Sequence, residues 1–128
     1  MSTVRQGEAI ESVVKRFDAA EQVLSLEDGQ LAVIAVGGRS IAKGSYPSGW
    51  RWSEAVKSAP RPVRSFDLVG VVLSGRAKIA FDAIGELDLT PGDFFHVGQD
   101  HDFWVVGQRP CEVLYVNGVE ALLSRLES

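Results

Sequence analysis

Residues that hold metals or close disulfides are scarce in this chain, which has two histidines and a single cysteine among its 128 residues. Cys111 has no second cysteine to pair with, so an internal disulfide is excluded and nothing calls for an oxidising compartment. Positive charge is thin as well: 13 Lys and Arg stand against 17 Asp and Glu, for a net charge of -4 and a pI near 5.1. Arg61, Arg64, Arg76 and Lys78 form no run, which argues against a nucleic-acid partner. Long apolar stretches are missing too. None approaches the roughly 20 residues a membrane span needs, and Glu8, Glu11 and Lys15 interrupt the segment where a secretory core would sit. The expectation is a cytoplasmic protein that engages neither nucleic acid nor membrane. What is present suits one core. Hydrophobic residues make up 45% and charged residues 23%, close to ordinary soluble proteins, and the length fits a single domain over residues 1–128.

Both ends of the chain carry a helical period. Ile10, Val13, Val14 and Phe17 fall on one helical face, which predicts a helix over about 8–16. Val119, Leu122, Leu123 and Leu126 repeat that spacing and predict a second helix over about 118–127. Asn117 stands where a cap belongs, with Glu120 three residues on. Each helix is expected to pack on the outside of the domain or on a second subunit.

Between them the period is two. "LAVIAVGG" and "RSIAKG" flank Gly37-Gly38, a hairpin signal. In "VVLSGRAKIAFD", Ala77, Ile79 and Phe81 face one way while Arg76, Lys78 and Ala80 face the other. "GELDLTPGD" alternates through Leu87 and Leu89 and turns at Pro91-Gly92-Asp93; "DFWVVG" and "CEVLYVNG" complete the set. Short strands separated by Gly/Pro turns, with no helix between them, predict an all-β sandwich or barrel. The proline-rich stretch at 58–64, "SAPRPVR", reads as an exposed loop.

Three stretches give this pattern a family likeness: "YPSGWRWSEAVKS", "FDLVGVVLSGRAKI" and "TPGDFFHVGQDHDFWVVGQRP". They resemble the cupin superfamily in its small single-domain form, and "GWRWSE", "VVLSGR" and "HDFWVVG" look like one bacterial subgroup of it. The resemblance covers about residues 17–117. It implies a jelly-roll β-barrel, flanked here by the short N- and C-terminal α-helices. Because cupins host many unrelated activities, it does not by itself imply a function.

Cupin metal sites usually draw a His-x-His pair and a glutamate from the first motif and a histidine from the second. This chain carries Ala55 and Asp67-Leu68 where the resemblance implies first-motif histidines, and two histidines cannot supply a three-histidine site. Glu54, Asp67 and His101 remain near the expected positions. Such a set could hold Fe, Mn, Ni or Zn facially, but the replaced positions favour a site with no metal and no cofactor. The usual second-motif histidine falls at Phe103. His101 lies two residues before it and so projects to the same face of a strand.

Each of these residues also has a simpler structural role open to it. His101 is the expected proton carrier, since imidazole titrates near neutrality, assisted by Glu54 or Asp67. Glu54 shares a face with Trp52 if the segment is extended; otherwise it pairs on the surface with Arg51 or Lys57. Asp67 is either a pocket acid or the salt-bridge partner of Arg51 or Arg76. Trp52, Tyr46, Phe103, Trp104 and Arg51 are the expected substrate contacts, with Trp50, Trp52 and Trp104 equally readable as core aromatics. Tyr115 is either a ligand hydroxyl or a wall residue. His96 reads as a locally bonded wall histidine and Cys111 as a buried, inert thiol. The favoured expectation is a metal-independent isomerase, lyase or cyclase acting on an organic substrate in the barrel. The alternatives are a non-catalytic binding or sensor protein and a metal-dependent oxygenase or isomerase using the Glu/Asp/His set. The terminal apolar helix and the free sheet edges suggest a homodimer.

Overall fold

Alternation of apolar and polar residues builds most of the molecule, because a strand sends successive side chains to opposite faces. The computed structural model describes residues 12–57, 67–81, 85–98 and 101–126. Nine strands run in order: β1 (Gln22–Leu26), β2 (Gly29–Val36), β3 (Arg39–Tyr46), β4 (Leu68–Ser74), β5 (Arg76–Phe81), β6 (Gly85–Leu89), β7 (Phe94–Val97), β8 (His101–Val106) and β9 (Cys111–Asn117). A single helical turn, α1 (Trp52–Ala55), follows β3, and α2 (Val119–Leu126) follows β9. One antiparallel sheet has the order β1-β2-β3-β9-β4-β7 and the other the order β6-β5-β8. Their inner faces enclose one core, the arrangement expected of an all-β jelly roll.

The expected alternation holds on β5, where Ala77, Ile79 and Phe81 are buried and Arg76 is exposed. On β6, Leu89 is buried but Leu87 is exposed, since β6 is an edge strand. Gly37-Gly38 forms a two-residue hairpin between the paired residues Val36 and Arg39. Both glycines have positive φ, 62° and 81°, as the turn that matches strand twist requires. At the other hairpin signal, the Asp93 carboxylate accepts the Thr90 N–H at 2.8 Å, and the Asp93 N–H donates back to the Thr90 carbonyl at 3.0 Å.

The two ends of the chain part ways. Residues 12–16 are not helical and residues 8–11 lie outside the described part; Phe17–Ala19 form a 3-10 turn in place of the helix expected up to residue 16. Val13 and Val14 are exposed, so no apolar surface holds a helical face there. Phe17 instead lies under the Lys43 ammonium, 5.7 Å from its ring centre. The C-terminal helix does form. Val119 and Leu122 are buried, and Leu123 and Leu126 pack on the same core. Its apolar stripe is therefore used by its own barrel rather than left for a second subunit. Glu120 does not turn back toward Asn117 as the cap pattern suggested: its carboxylate accepts the Ser40 N–H at 2.8 Å and so ties α2 to β3. No helix among the described residues is long and apolar enough to cross a membrane. The proline-rich stretch 58–64 lies outside them.

Candidate functional site

The two sheets meet around a small cavity. Leu68 from β4, Phe95 from β7 and Tyr115 from β9 face Ile79 from β5 and His101 and Phe103 from β8, while Trp52 of α1 and Leu122 of α2 complete the wall. The volume is about 20 Å³, room for about one water. Its lining is mostly apolar, with the His101 imidazole, the Tyr115 hydroxyl and the Trp52 indole N–H as the polar groups of its residues. As the strand period requires, His101 and Phe103 project to the same side, into this cavity. The His101 ring lies parallel to Trp52, with centroids 6.4 Å apart and a 12° interplanar angle, and it tilts against Phe81 at 6.2 Å.

A layer of aromatic rings lies deeper in the core. Tyr46 stacks on Trp50 at 4.2 Å and meets Phe103 edge-on at 5.7 Å. The Trp50 indole N–H donates to the Leu26 carbonyl at 2.8 Å. The hydroxyls of Tyr46 and Tyr115 share a hydrogen bond of 2.7 Å. Burial pushes both phenols to higher pKa, so both stay protonated and serve as a structural pair. Tyr46 is thus a core residue that satisfies Tyr115, not a cavity contact. Cys111 is fully buried, and burial, together with the neighbouring Glu112, raises its thiol to about 11, in line with an inert role.

The carboxylates expected beside His101 are elsewhere. Residues 52–55 form a helical turn, so Glu54 does not share a face with Trp52. Its side chain is 67% exposed and pairs with Lys57 at 2.9 Å, the surface alternative. Asp67, 74% exposed, bonds the His96 ring nitrogen at 3.0 Å rather than Arg51 or Arg76. His96 lies on the outside of β7 at 61% exposure, so it is locally bonded but is not a wall residue. Arg51 and Trp104 are also outside the cavity, on the outer face of the smaller sheet. The Arg51 guanidinium sits 4.3 Å above the Trp104 ring and pairs with Asp102 at 2.8 Å. Of the residues expected at the site, the structure brings together His101, Trp52 and Phe103 and leaves Glu54, Asp67, Tyr46, Trp104 and Arg51 off the cavity wall.

Asp102, which no sequence pattern singles out, explains the placement of Trp52. Its carboxylate accepts the Ser53 N–H at 3.0 Å, the Ser53 hydroxyl at 2.9 Å and the Phe103 N–H at 2.8 Å, besides the Arg51 guanidinium. An acceptor supplied from β8 therefore satisfies the first turn of α1, a cap provided by another strand. This clamp holds the Trp52 ring against the cavity. The other residues the sequence reading missed, Leu68, Ile79, Phe95 and Leu122, are ordinary apolar positions that only the folded chain gathers.

The donor set does not fit a metal ion. Among the described residues no three His, Cys, Asp or Glu side chains gather in a way that could hold one. Glu54 and Asp67 are turned to the surface, and the cavity offers one imidazole among carbon walls.

No family model matches this chain, and no curated protein matches it. Solved structures do resemble it. Ectoine synthase from P. lautus aligns with a TM-score of 0.61 at 11% identity, covering 89% of this chain and 86% of that one. A protein of unknown function from Rhizobium leguminosarum bv. viciae 3841 gives 0.59 at 15%, covering 83% and 96%. A sugar phosphate isomerase of the cupin superfamily from Silicibacter pomeroyi DSS-3 gives 0.54 at 18%; the match covers 70% of this chain and 59% of that protein. At these identities the likeness speaks for the fold alone. With the two facing antiparallel sheets and the strand order above, it shows that the chain has the cupin fold.

Proposed function

We propose that this protein is a small-molecule-binding cupin whose barrel cavity takes a compact, largely apolar organic ligand and presents His101 to it. The observation that carries this reading is the chemistry of the wall. Seven carbon-rich side chains surround one imidazole, and the Tyr115 hydroxyl is already engaged by Tyr46. Mostly apolar walls with a small number of placed polar groups are the usual make-up of a ligand pocket. Once the wall opens, Trp52 and Phe103 offer aromatic faces to a flat ring, and a hydroxyl or carbonyl on it would meet His101. Because the cavity holds about one water as it stands, entry requires a wall residue to give way. Leu122 is the natural one, since it sits on a short helix rather than in a sheet.

A second reading, metal-independent acid/base catalysis, is favoured by His101 itself. It is the imidazole among the cavity-lining residues, the side-chain type best suited to carry a proton, and it sits where a bound ligand would be desolvated. The outward turn of Glu54 and Asp67 removes the carboxylate partners of that mechanism, so binding is the better-supported reading.

Phenol is a suitable probe: a ring for the aromatic walls and one hydroxyl for the imidazole. Calorimetric titration is expected to give saturable binding that weakens about fivefold to tenfold in His101→Leu, the loss of one hydrogen bond in an apolar site. Absence of saturable binding, or equal affinity in His101→Leu, would count against the assignment.

A further inference from the structure

We propose a second binding site, for a small oxyanion, at the end of the barrel opposite His101. Three turns frame an open groove of about 470 Å³ there, lined chiefly by Arg76, Arg109, Gln108, Gly107, Val106 and Pro91. Arg76 begins β5 and Arg109 lies in the turn between β8 and β9, so two separate parts of the chain bring arginines to one concavity. Gly107 lies beside the first. The Arg76 Nη2 lies 3.4 Å from where a side chain at Gly107 would begin, an ordinary contact, and the φ of 82° there favours glycine.

These two arginines combine a shared concavity with the lack of a carboxylate partner among the described residues; Arg39 also lacks one but does not line the groove. Arg16 is bonded to Asp18 and Arg51 to Asp102. Neither Arg76 nor Arg109 pairs with any carboxylate among the described residues. The nearby acids are already engaged: Asp93 by Thr90, and Glu112 by Lys43 and Ser74. Two permanently charged forks, each with five N–H donors, thus face one groove in a protein whose net charge is -4. Guanidinium geometry matches phosphate and carboxylate oxygens in pairs, and Val106 and Pro91 give an apolar shoulder for the body of such a ligand. The shared chemistry is a phosphate or carboxylate group on a compact molecule. The site is independent of the His101 cavity, and neither depends on the other.

The test is an NMR titration of the 15N-labelled protein with inorganic phosphate and, separately, with acetate, at constant ionic strength so that general screening is held fixed. Saturable shifts are expected at Gly107, Gln108 and Arg109. Arg76→Ala and Arg109→Ala should each weaken binding about tenfold, while Arg39→Ala, a distant exposed arginine, should leave it unchanged. The anion that binds more tightly identifies the group. Because both groove arginines are exposed, the variants should keep wild-type spectra elsewhere. If Arg76→Ala does not, Arg76→Gln, which keeps part of the stem, replaces it. Shifts that rise linearly with both anions, or that are the same in the groove variants as in wild type, would overturn the proposal.

Discussion

The same strands serve two unlike ends of the barrel. β4 brings Leu68 to the cavity at one end and runs into Gly75 at the groove; β8 starts with His101 at the cavity and ends with Val106 at the groove. The cavity end is narrow, with about 20 Å³ of free space and one imidazole among aromatic and aliphatic walls. The groove end is open, about 470 Å³, and carries two arginines. The sheets do not make this difference, since both run through to each end. Two short helices do: α1 places Trp52 and α2 places Leu122 over one opening, while only turns surround the other. Closure makes the first end a place for desolvated, apolar recognition, where one hydrogen bond counts for much. Openness makes the second a place for charge, screened by water and salt.

The largest effect should come from breaking the closure. Leu122→Ala removes a fully buried side chain from the cavity wall and is expected to lower stability by about 2–5 kcal/mol, read from denaturant midpoints. The Arg76→Ala, Arg109→Ala double variant should stay within about 0.5 kcal/mol of wild type. Equal losses at the two ends would break the contrast. The same Leu122→Ala variant should bind phenol more tightly, because the ligand no longer has to displace a side chain.

An intermediate effect is expected below the cavity. Tyr46→Phe leaves the Tyr115 hydroxyl buried without its partner, at a cost of about 1–3 kcal/mol. Adding Tyr115→Phe should recover part of that loss, since both polar groups are then gone. A double variant as unstable as the sum of the two singles would contradict the pairing.

The smallest effect concerns the tether of α2. Glu120 is held below the ordinary glutamate value of 4.5, chiefly by the Ser40 N–H. A carboxyl lowered on folding adds stability that is present above its unfolded value and is lost as pH falls through its folded one. Wild type should therefore exceed Glu120→Gln slightly near neutrality, and the gap should close below about pH 4.5. A gap that widens in acid would mean the carboxylate is not what Ser40 holds.

How much of this could be read in advance depended on the range of each cause. The alternation of Ala77, Ile79 and Phe81, the Gly37-Gly38 turn and the shared face of His101 and Phe103 are local, and a period of two suffices for them. The apolar spacing of α2 was equally plain, but not that Leu122 would reach the wall beside His101. Glu54 was misplaced because the extended spacing assumed for Trp52 and Glu54 gives way to a helical turn. That turn is fastened by Asp102, 49 residues from Ser53. Asp67 finds His96 across 29 residues, on a neighbouring strand. Carboxylates and guanidinium groups carry no periodic signal of their own, and their partners are settled only when the strands pair.

His101 faces the cavity while His96 faces water, and the ring C–H signals of these two histidines test that contrast most directly. On titration with phenol the His101 signal should move and saturate, and the His96 signal should stay in place. Saturation at His96, or two histidines that drift together without saturating, would contradict the account.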